Sequence, residues 1–264
     1  MILSQINQDK KYSRIISLVP SQTELLSYLY LDEEVIGITK FCIHPEEWFR
    51  SKTRVGGTKN INLKTIQQLS PDLIIANKEE NVKEQIEMLA EKYDVWITDV
   101  NNLADAIQMI RDMGKLTGKA KPASGLAFKI NEGFEKLENN FFESHKFSKP
   151  VSFIKAAYFI WKDPYMVAGG NTFINDMMHY CGLENVFADQ NRYPQITLEE
   201  VKRKNVELIL LSSEPYPFKE KHKAQIHEQI EGVKIELVDG EMFSWYGSRL
   251  LKSISYFQNF RKYI

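Results

Sequence analysis

Residues 63–79 and 198–214 follow one plan: a short amphipathic helical stretch, a polar break, a four-residue apolar run and a polar turn ending in glutamate. Leu73-Ile-Ile-Ala76 in the first matches Leu208-Ile-Leu-Leu211 in the second, and Glu79 falls opposite Glu214. Apolar runs of this length, without alternation, suit strands buried on both faces of a parallel sheet. The correspondence extends outward in the same order. Arg14-Ile-Ile-Ser-Leu18 opens the first half as a strand, and Val151-Ser-Phe-Ile154 opens the second. Leu31-Asp-Glu-Glu-Val-Ile36 answers Leu183-Glu-Asn-Val-Phe187, and Val95-Trp-Ile-Thr98 answers Lys234-Ile-Glu-Leu-Val238. The expected fold is α/β, as two similar lobes with a ligand cleft between them, because small molecules favour such interfaces.

Between the repeats, Leu126, Ile130, Phe134, Leu137 and Phe141 recur at helical spacing from about Lys119 to Phe142. One long helix, spanning roughly 35 Å at 1.5 Å per residue, is expected to join the lobes and to limit their movement. The predicted organisation is an N-terminal lobe over 1–118, a linker helix over 119–144 and a C-terminal lobe over 145–264. Helix starts are expected as capping boxes at Ser21-Gln-Thr-Glu24 and Thr197-Leu-Glu-Glu200, and as a simpler cap at Asn62.

The charge balance excludes some partners. Thirty-four basic and 35 acidic residues leave a net charge of −1, which offers no electrostatic case for nucleic acid or an anionic membrane. No window approaches the roughly 18 apolar residues that span a bilayer. The first thirteen residues lack a basic start, an apolar stretch and a small-residue cleavage site, which predicts a cytoplasmic chain, or a periplasmic one if a leader precedes this sequence. Two cysteines, Cys42 and Cys181, do not make a disulfide framework and are expected as free, buried thiols. The chain is expected to be a monomer.

The chemistry-bearing residues fall after predicted strands, where open α/β sheets place their ligands. Phe41-Cys42-Ile-His44 follows the run ending at Ile38, and a Cys and a His two apart can reach one metal. His44 alone is a candidate axial ligand to the metal of a bound chelate. Gly56-Gly57-Thr58 is open enough for close backbone approach, but has neither the lysine nor the spacing of a phosphate loop. In the second half, Tyr158, Trp161 and Tyr165 are expected after the first strand, and Phe243, Trp245 and Tyr246 after the last. Aromatic faces suit large flat ligands. Arg249 is a candidate for bidentate binding of a carboxylate. His222 and His227 lie in a charged stretch and are expected to be solvated, whereas His179 is expected to pack. No nucleophile–base–orienter set is evident.

Taken in order, Pro20-Ser-Gln-Thr-Glu24, Val35-Ile-Gly-Ile-Thr39, Cys42-Ile-His-Pro45, Val55-Gly-Gly-Thr58, Leu69-Ser-Pro-Asp-Leu-Ile-Ile-Ala76, Ala168-Gly-Gly-Asn171, Cys181 to Phe187, Ser213-Glu-Pro-Tyr-Pro217 and Trp245-Tyr-Gly-Ser-Arg249 resemble the class III substrate-binding proteins of ABC importers. Those proteins carry cobalamin, haem or ferric siderophores. The resemblance spans about Arg14 to Phe260 and implies two α/β lobes on a backbone helix. It implies a binding protein without catalysis and with no intrinsic cofactor, contacting its chelate through Phe41, Cys42, His44, Gly57, Thr58, Trp161, Trp245, Tyr246 and Arg249. It also implies docking on a permease through one acid on each lobe: Glu214 in the second, and Glu79, Glu80 or Glu84 in the first. Asn77 stands where the cobalamin carrier has an aromatic residue, and His44 where it has a tyrosine. The competing expectation is a cytoplasmic enzyme, or a storage or delivery protein, of metal–tetrapyrrole metabolism that uses the same cleft with Cys42 and His44 as its chemical groups.

Overall fold

A computed structural model describes residues 1–143 and 153–264. The first unit comprises 1–100, 104–131 and 246–249; the second comprises 101–103, 132–245 and 250–264. In chain order the elements up to the central helix are β1 (Ile15–Ser17), α1 (Pro20–Tyr28), β2 (Val35–Ile38), α2 (Glu46–Ser51), β3 (Thr53–Arg54), α3 (Leu63–Leu69), β4 (Leu73–Asn77), α4 (Lys83–Ala90), β5 (Asp94–Thr98), α5 (Leu103–Leu116) and α6 (Ala120–Glu143). Beyond it follow β6 (Ile154–Trp161), β7 (Met166–Val167), α7 (Phe173–Tyr180), β8 (Leu183–Asn185), α8 (Leu198–Arg203), β9 (Leu208–Ser212), α9 (Glu220–His227), β10 (Lys234–Val238), α10 (Gly240–Ser244) and α11 (Leu250–Tyr263).

The repeat seen in the sequence is a repeat of topology. The first sheet runs β3-β2-β1-β4-β5, all parallel. In the second, β8, β6, β9 and β10 pair in parallel in the same order as β2, β1, β4 and β5. The differences sit at one edge: β3 extends the first sheet, whereas β7 pairs antiparallel with the far end of β6. All five residues of β4 and all five of β9 are buried, as expected of strands with neighbours on both sides and helices on both faces. Each unit has its own core. Ile16, Leu18, Ile66, Ile74, Ile86 and Val95 build the first. Phe159, Phe187, Val201, Ile209, Leu211 and Ile226 build the second. Each such side chain contributes about 1.5–3 kcal/mol by leaving water.

Two helix starts match expectation. Thr197 accepts from Glu200 N while the Glu200 carboxylate accepts from Thr197 N, a complete capping box. Asn62 Oδ1 accepts from Thr65 N. The expected box at Ser21 does not form. Pro20 occupies the first helical position, where its missing N–H costs nothing, and the cap residue is Val19. Ser21 is already inside the helix, and the Glu24 carboxylate turns to Arg249 instead.

The opening strand of the second half also differs. It runs from Ile154 to Trp161, so Tyr158 lies within it, fully buried, with its hydroxyl donating to Ser212 Oγ on β9. A strand flanked on both sides must be long enough to pair with β9 on one side and with β8 and β7 in turn on the other. Val151, Ser152 and the connection 144–150, with His145, lie outside the described residues. His222 is not solvated. It is 4% exposed, and its Nδ1 accepts from Lys219 N to cap α9. His179 is exposed and stacks on Phe153. Both cysteines are free and buried.

Candidate functional site

Each sheet ends in a row of loops at the carboxyl edge of its parallel strands; Phe41, Cys42, His44, Gly57, Thr58, Glu79, Glu80 and Glu214 lie in those loops, Trp161 ends β6, and Trp245, Tyr246 and Arg249 follow α10. In the first unit the loop after β2 is organised by Cys42. Its thiol is completely buried and lies 3.1 Å from both Thr23 Oγ1 and Thr39 Oγ1. Thr23 Oγ1 in turn donates to Ser17 Oγ or Val19 O. Burial pushes the thiol's pKa up, against the pull of its threonine hydrogen bonds. A completely buried thiol held between two hydroxyls anchors the turn. With Cys42 pointing inward, its neighbours are turned out: Phe41 is 50% exposed and Ile43 42% exposed. The turn is tight, with Cys42 N donating to Thr39 O and Ile43 N to Phe41 O. His44 follows, half-buried, at the entry to α2.

The neighbouring loop after β3 supports this one. Lys40 N donates to Gly56 O at 2.8 Å. Gly56 has φ +101°, and a side chain there would collide with Asn60 O. Gly57 is buried beneath Phe41 and Lys40: a Cβ on it would lie 3.1 Å from Phe41 Cε2 and 3.3 Å from Lys40 Cε. Thr58 is nearly buried, and its carbonyl accepts from Asn81 Nδ2.

Glu79 and Glu80 occupy the turn after β4. Asn77 Oδ1 accepts from both of their backbone N–H groups, and Asn77 N donates to Asn81 Oδ1. Asn77 is therefore a buried turn-former rather than a wall of a ligand site. Both glutamates are half-buried.

The segment Tyr246–Arg249 packs on α1 within the same unit. Tyr246 is 7% exposed, and burial, with the nearby Glu80 charge, raises its pKa well above the usual phenol range. Gly247 lies against Ser21 O and Leu25. Arg249, 4% exposed, pairs with Glu24 through Nε at 2.8 Å. Arg249 was expected to bind a ligand carboxylate. Its Nε is engaged by a carboxylate of the protein, which fixes this segment on α1.

In the second unit Trp161 ends β6 and is 41% exposed, with Tyr216 edge-on at 5.7 Å. Glu214, at the matching turn after β9, is half-buried. Its Oε1 accepts from Ser244 Oγ at 2.7 Å and from Trp245 Nε1 at 2.8 Å. Trp245 is thereby held at 6% exposure. Burial raises the Glu214 carboxyl above its ordinary pKa, and these two hydrogen bonds only partly oppose that.

The expected site residues thus separate by exposure. Phe41, His44 and Trp161 offer side-chain surface, and sequence reasoning missed Lys40, Ile43 and Tyr216 beside them. The signal that could have found Ile43 is alternation about a buried Cys42. Cys42, Gly57, Thr58, Trp245, Tyr246 and Arg249 lie inward and support the loops.

An uncharacterised ABC transporter substrate-binding lipoprotein of Bacillus subtilis, YvrC, is 26% identical over 261 residues, 94% of this chain and 81% of the relative. A vitamin B12-binding protein of Yersinia pestis is 27% identical over 202 residues, 75% and 69% of the two chains. The crystal structure of a periplasmic haem-binding protein from Pseudomonas aeruginosa has the same fold, with a TM-score of 0.80 at 16% identity, covering 93% of this chain and 91% of that one. A lipoprotein and periplasmic relatives point to an exported protein, and this overturns the cytoplasmic expectation drawn from the first thirteen residues. The periplasmic binding protein family matches residues 15–234, and the chain belongs to that family, among the class III substrate-binding proteins of ABC importers.

Proposed function

We propose that this chain binds a metal chelate of the cobalamin, haem or ferric-siderophore kind and delivers it to the permease of an ABC importer without chemically changing it. The observation that carries this reading is the set of apolar side chains left facing solvent on the carboxyl-edge loops. Phe41 and Ile43 project from the first unit and Trp161 from the second, on a scaffold that buries comparable residues elsewhere in the sheets. Large apolar side chains exposed within one loop, as Phe41 and Ile43 are, support a binding role for that loop. His44 lies beside Phe41 and Ile43, and its imidazole suits axial coordination of iron or cobalt. Relatives that bind vitamin B12 or haem support the same ligand class. The burial of Cys42 behind Thr23 and Thr39 supports a carrier over an enzyme that would need that thiol.

For delivery, Glu79, Glu80 and Glu214 are the acids proposed to meet the permease, as equivalent turns of the two repeats. The carrier is proposed to act as a monomer with no resident cofactor. Absorbance titration of the purified protein with haem, cobalamin and ferric siderophores tests the ligand class. Saturable binding of one of them, with a shifted spectrum lost in His44→Ala, is expected. Failure of all three to bind would remove the metal-chelate reading.

A further inference from the structure

Lys40 completes the exposed ledge after β2. Its Nζ lies 5.0 Å from the centroid of the Phe41 ring, and its stem passes over Gly57. The backbone beneath it is fixed at two points, by Lys40 N on Gly56 O and by the buried Cys42 two residues on. No carboxylate among the described residues forms an ion pair with it. An exposed lysine on an exposed aromatic face presents two kinds of surface side by side. The ring and Ile43 offer an apolar face, and the ammonium offers a cation at its margin.

We infer that Lys40 is a specificity-determining residue that selects a chelate with a flat apolar body and an acidic rim, the rim carboxylate pairing with Nζ while the body lies on Phe41 and Ile43. This rests on the metal-chelate reading above and narrows it. A porphyrin-type chelate with free carboxylates satisfies both surfaces, whereas a corrinoid whose rim carries neutral amides leaves the ammonium without a counter-charge. Gly57 belongs to the same device. Any larger residue there would press on both Phe41 and Lys40, so the smallest residue lets the two side chains settle together.

The test compares iron protoporphyrin IX, its dimethyl ester and cobalamin against the wild-type protein, Lys40→Met and Phe41→Ala. Methionine keeps the stem over Gly57 and removes only the charge. The wild type is expected to bind the diacid about tenfold more tightly than the diester, the worth of one charge-assisted contact. Lys40→Met is expected to bring the diacid to the diester's affinity and to leave the diester unchanged. Phe41→Ala is expected to weaken both porphyrins together, because it removes the face and not the rim. Equal binding of diacid and diester by the wild type, or a Lys40→Met variant with unchanged preference, overturns the inference while leaving the metal-chelate reading intact. Tighter binding of cobalamin than of the diacid does the same. If neither porphyrin nor cobalamin binds any of the proteins, the inference falls, and the metal-chelate reading falls with it when ferric siderophores also fail to bind.

Discussion

Arg249 Nε donates to Glu24 Oε2 at 2.8 Å across 225 residues of sequence, with side chains only 4% and 15% exposed. Two motifs that stand at opposite ends of the chain, Pro20 to Glu24 and Trp245 to Arg249, are therefore parts of one packing unit on α1.

Breaking this pair removes one partner of a largely buried, charge-assisted contact, which costs up to about 3–5 kcal/mol. Glu24→Gln and Arg249→Met are each expected to lower stability by an amount in that range, while Glu24→Leu combined with Arg249→Met loses less than the sum of the single changes. Urea unfolding of the three variants checks this. Midpoints equal to the wild type would show that the segment is held by Tyr246 and Gly247 alone.

Glu214 should make stability depend on pH with an unusual sign. Burial, outweighing the Ser244 and Trp245 hydrogen bonds, holds its native pKa above the ordinary carboxyl value of about 4.3. Between those two values the native state binds more protons than the unfolded state, so this group's contribution to stability falls as pH rises through the window. Glu214→Gln keeps an acceptor for both hydrogen bonds and removes the titration. It is expected to be at least as stable as the wild type at neutral pH and to flatten the profile. A variant markedly less stable at pH 7 would mean that the charge itself is needed.

Asp94 acts in the opposite direction. Burial pushes its carboxyl up, but the hydrogen bonds from Lys10 and Tyr12 outweigh it and the net shift is downward. Its contribution is present above the ordinary aspartate value and is lost as pH falls through the lowered native one. Tyr12→Phe removes a bond to a charged acceptor and is expected to cost about 1.5 kcal/mol at pH 7 and much less in acid. Equal losses at both pH values would assign the effect to packing.

Cys42 and Cys181 should be unreactive toward thiol reagents in the native protein and reactive once urea unfolds it, since both are buried and burial raises both pKa values. Cys42→Ser, which preserves the hydrogen bonds to Thr23 and Thr39, is expected to leave chelate affinity and spectrum unchanged. A spectral change in that variant would return the thiol to the ligand set.

For delivery, Glu79→Lys with Glu80→Lys, combined with Glu214→Gln, is expected to abolish uptake in cells while the purified protein keeps its chelate affinity. The glutamine is chosen because lysine at 214 would also release Trp245. Parallel loss of affinity would place these acids in the binding site instead of the docking surface.

The repeat was legible because burial on both faces leaves a local signature: the runs Leu73 to Ala76 and Leu208 to Leu211 are apolar throughout, and their place relative to the preceding helices repeats. The caps at Asn62 and Thr197 were legible for the same reason, since donor and acceptor lie three residues apart. The box at Ser21 misled because Pro20 begins the helix one residue earlier and Glu24 has a distant partner. Which side chains of the edge loops face inward was not legible. Cys42 points inward because Thr23, 19 residues away, offers its hydroxyl, and that choice turns Phe41 and Ile43 outward. Glu214 holds Trp245 across 31 residues, and Glu24 holds Arg249 across 225. Sequence alone determined the central strands β4 and β9, because burial on both faces is written in consecutive residues, whereas the extent of β6 and the antiparallel edge strand β7 were not written there. Only the tertiary structure decided which polar groups are already paired, because pairing depends on distances in space that residue order does not encode.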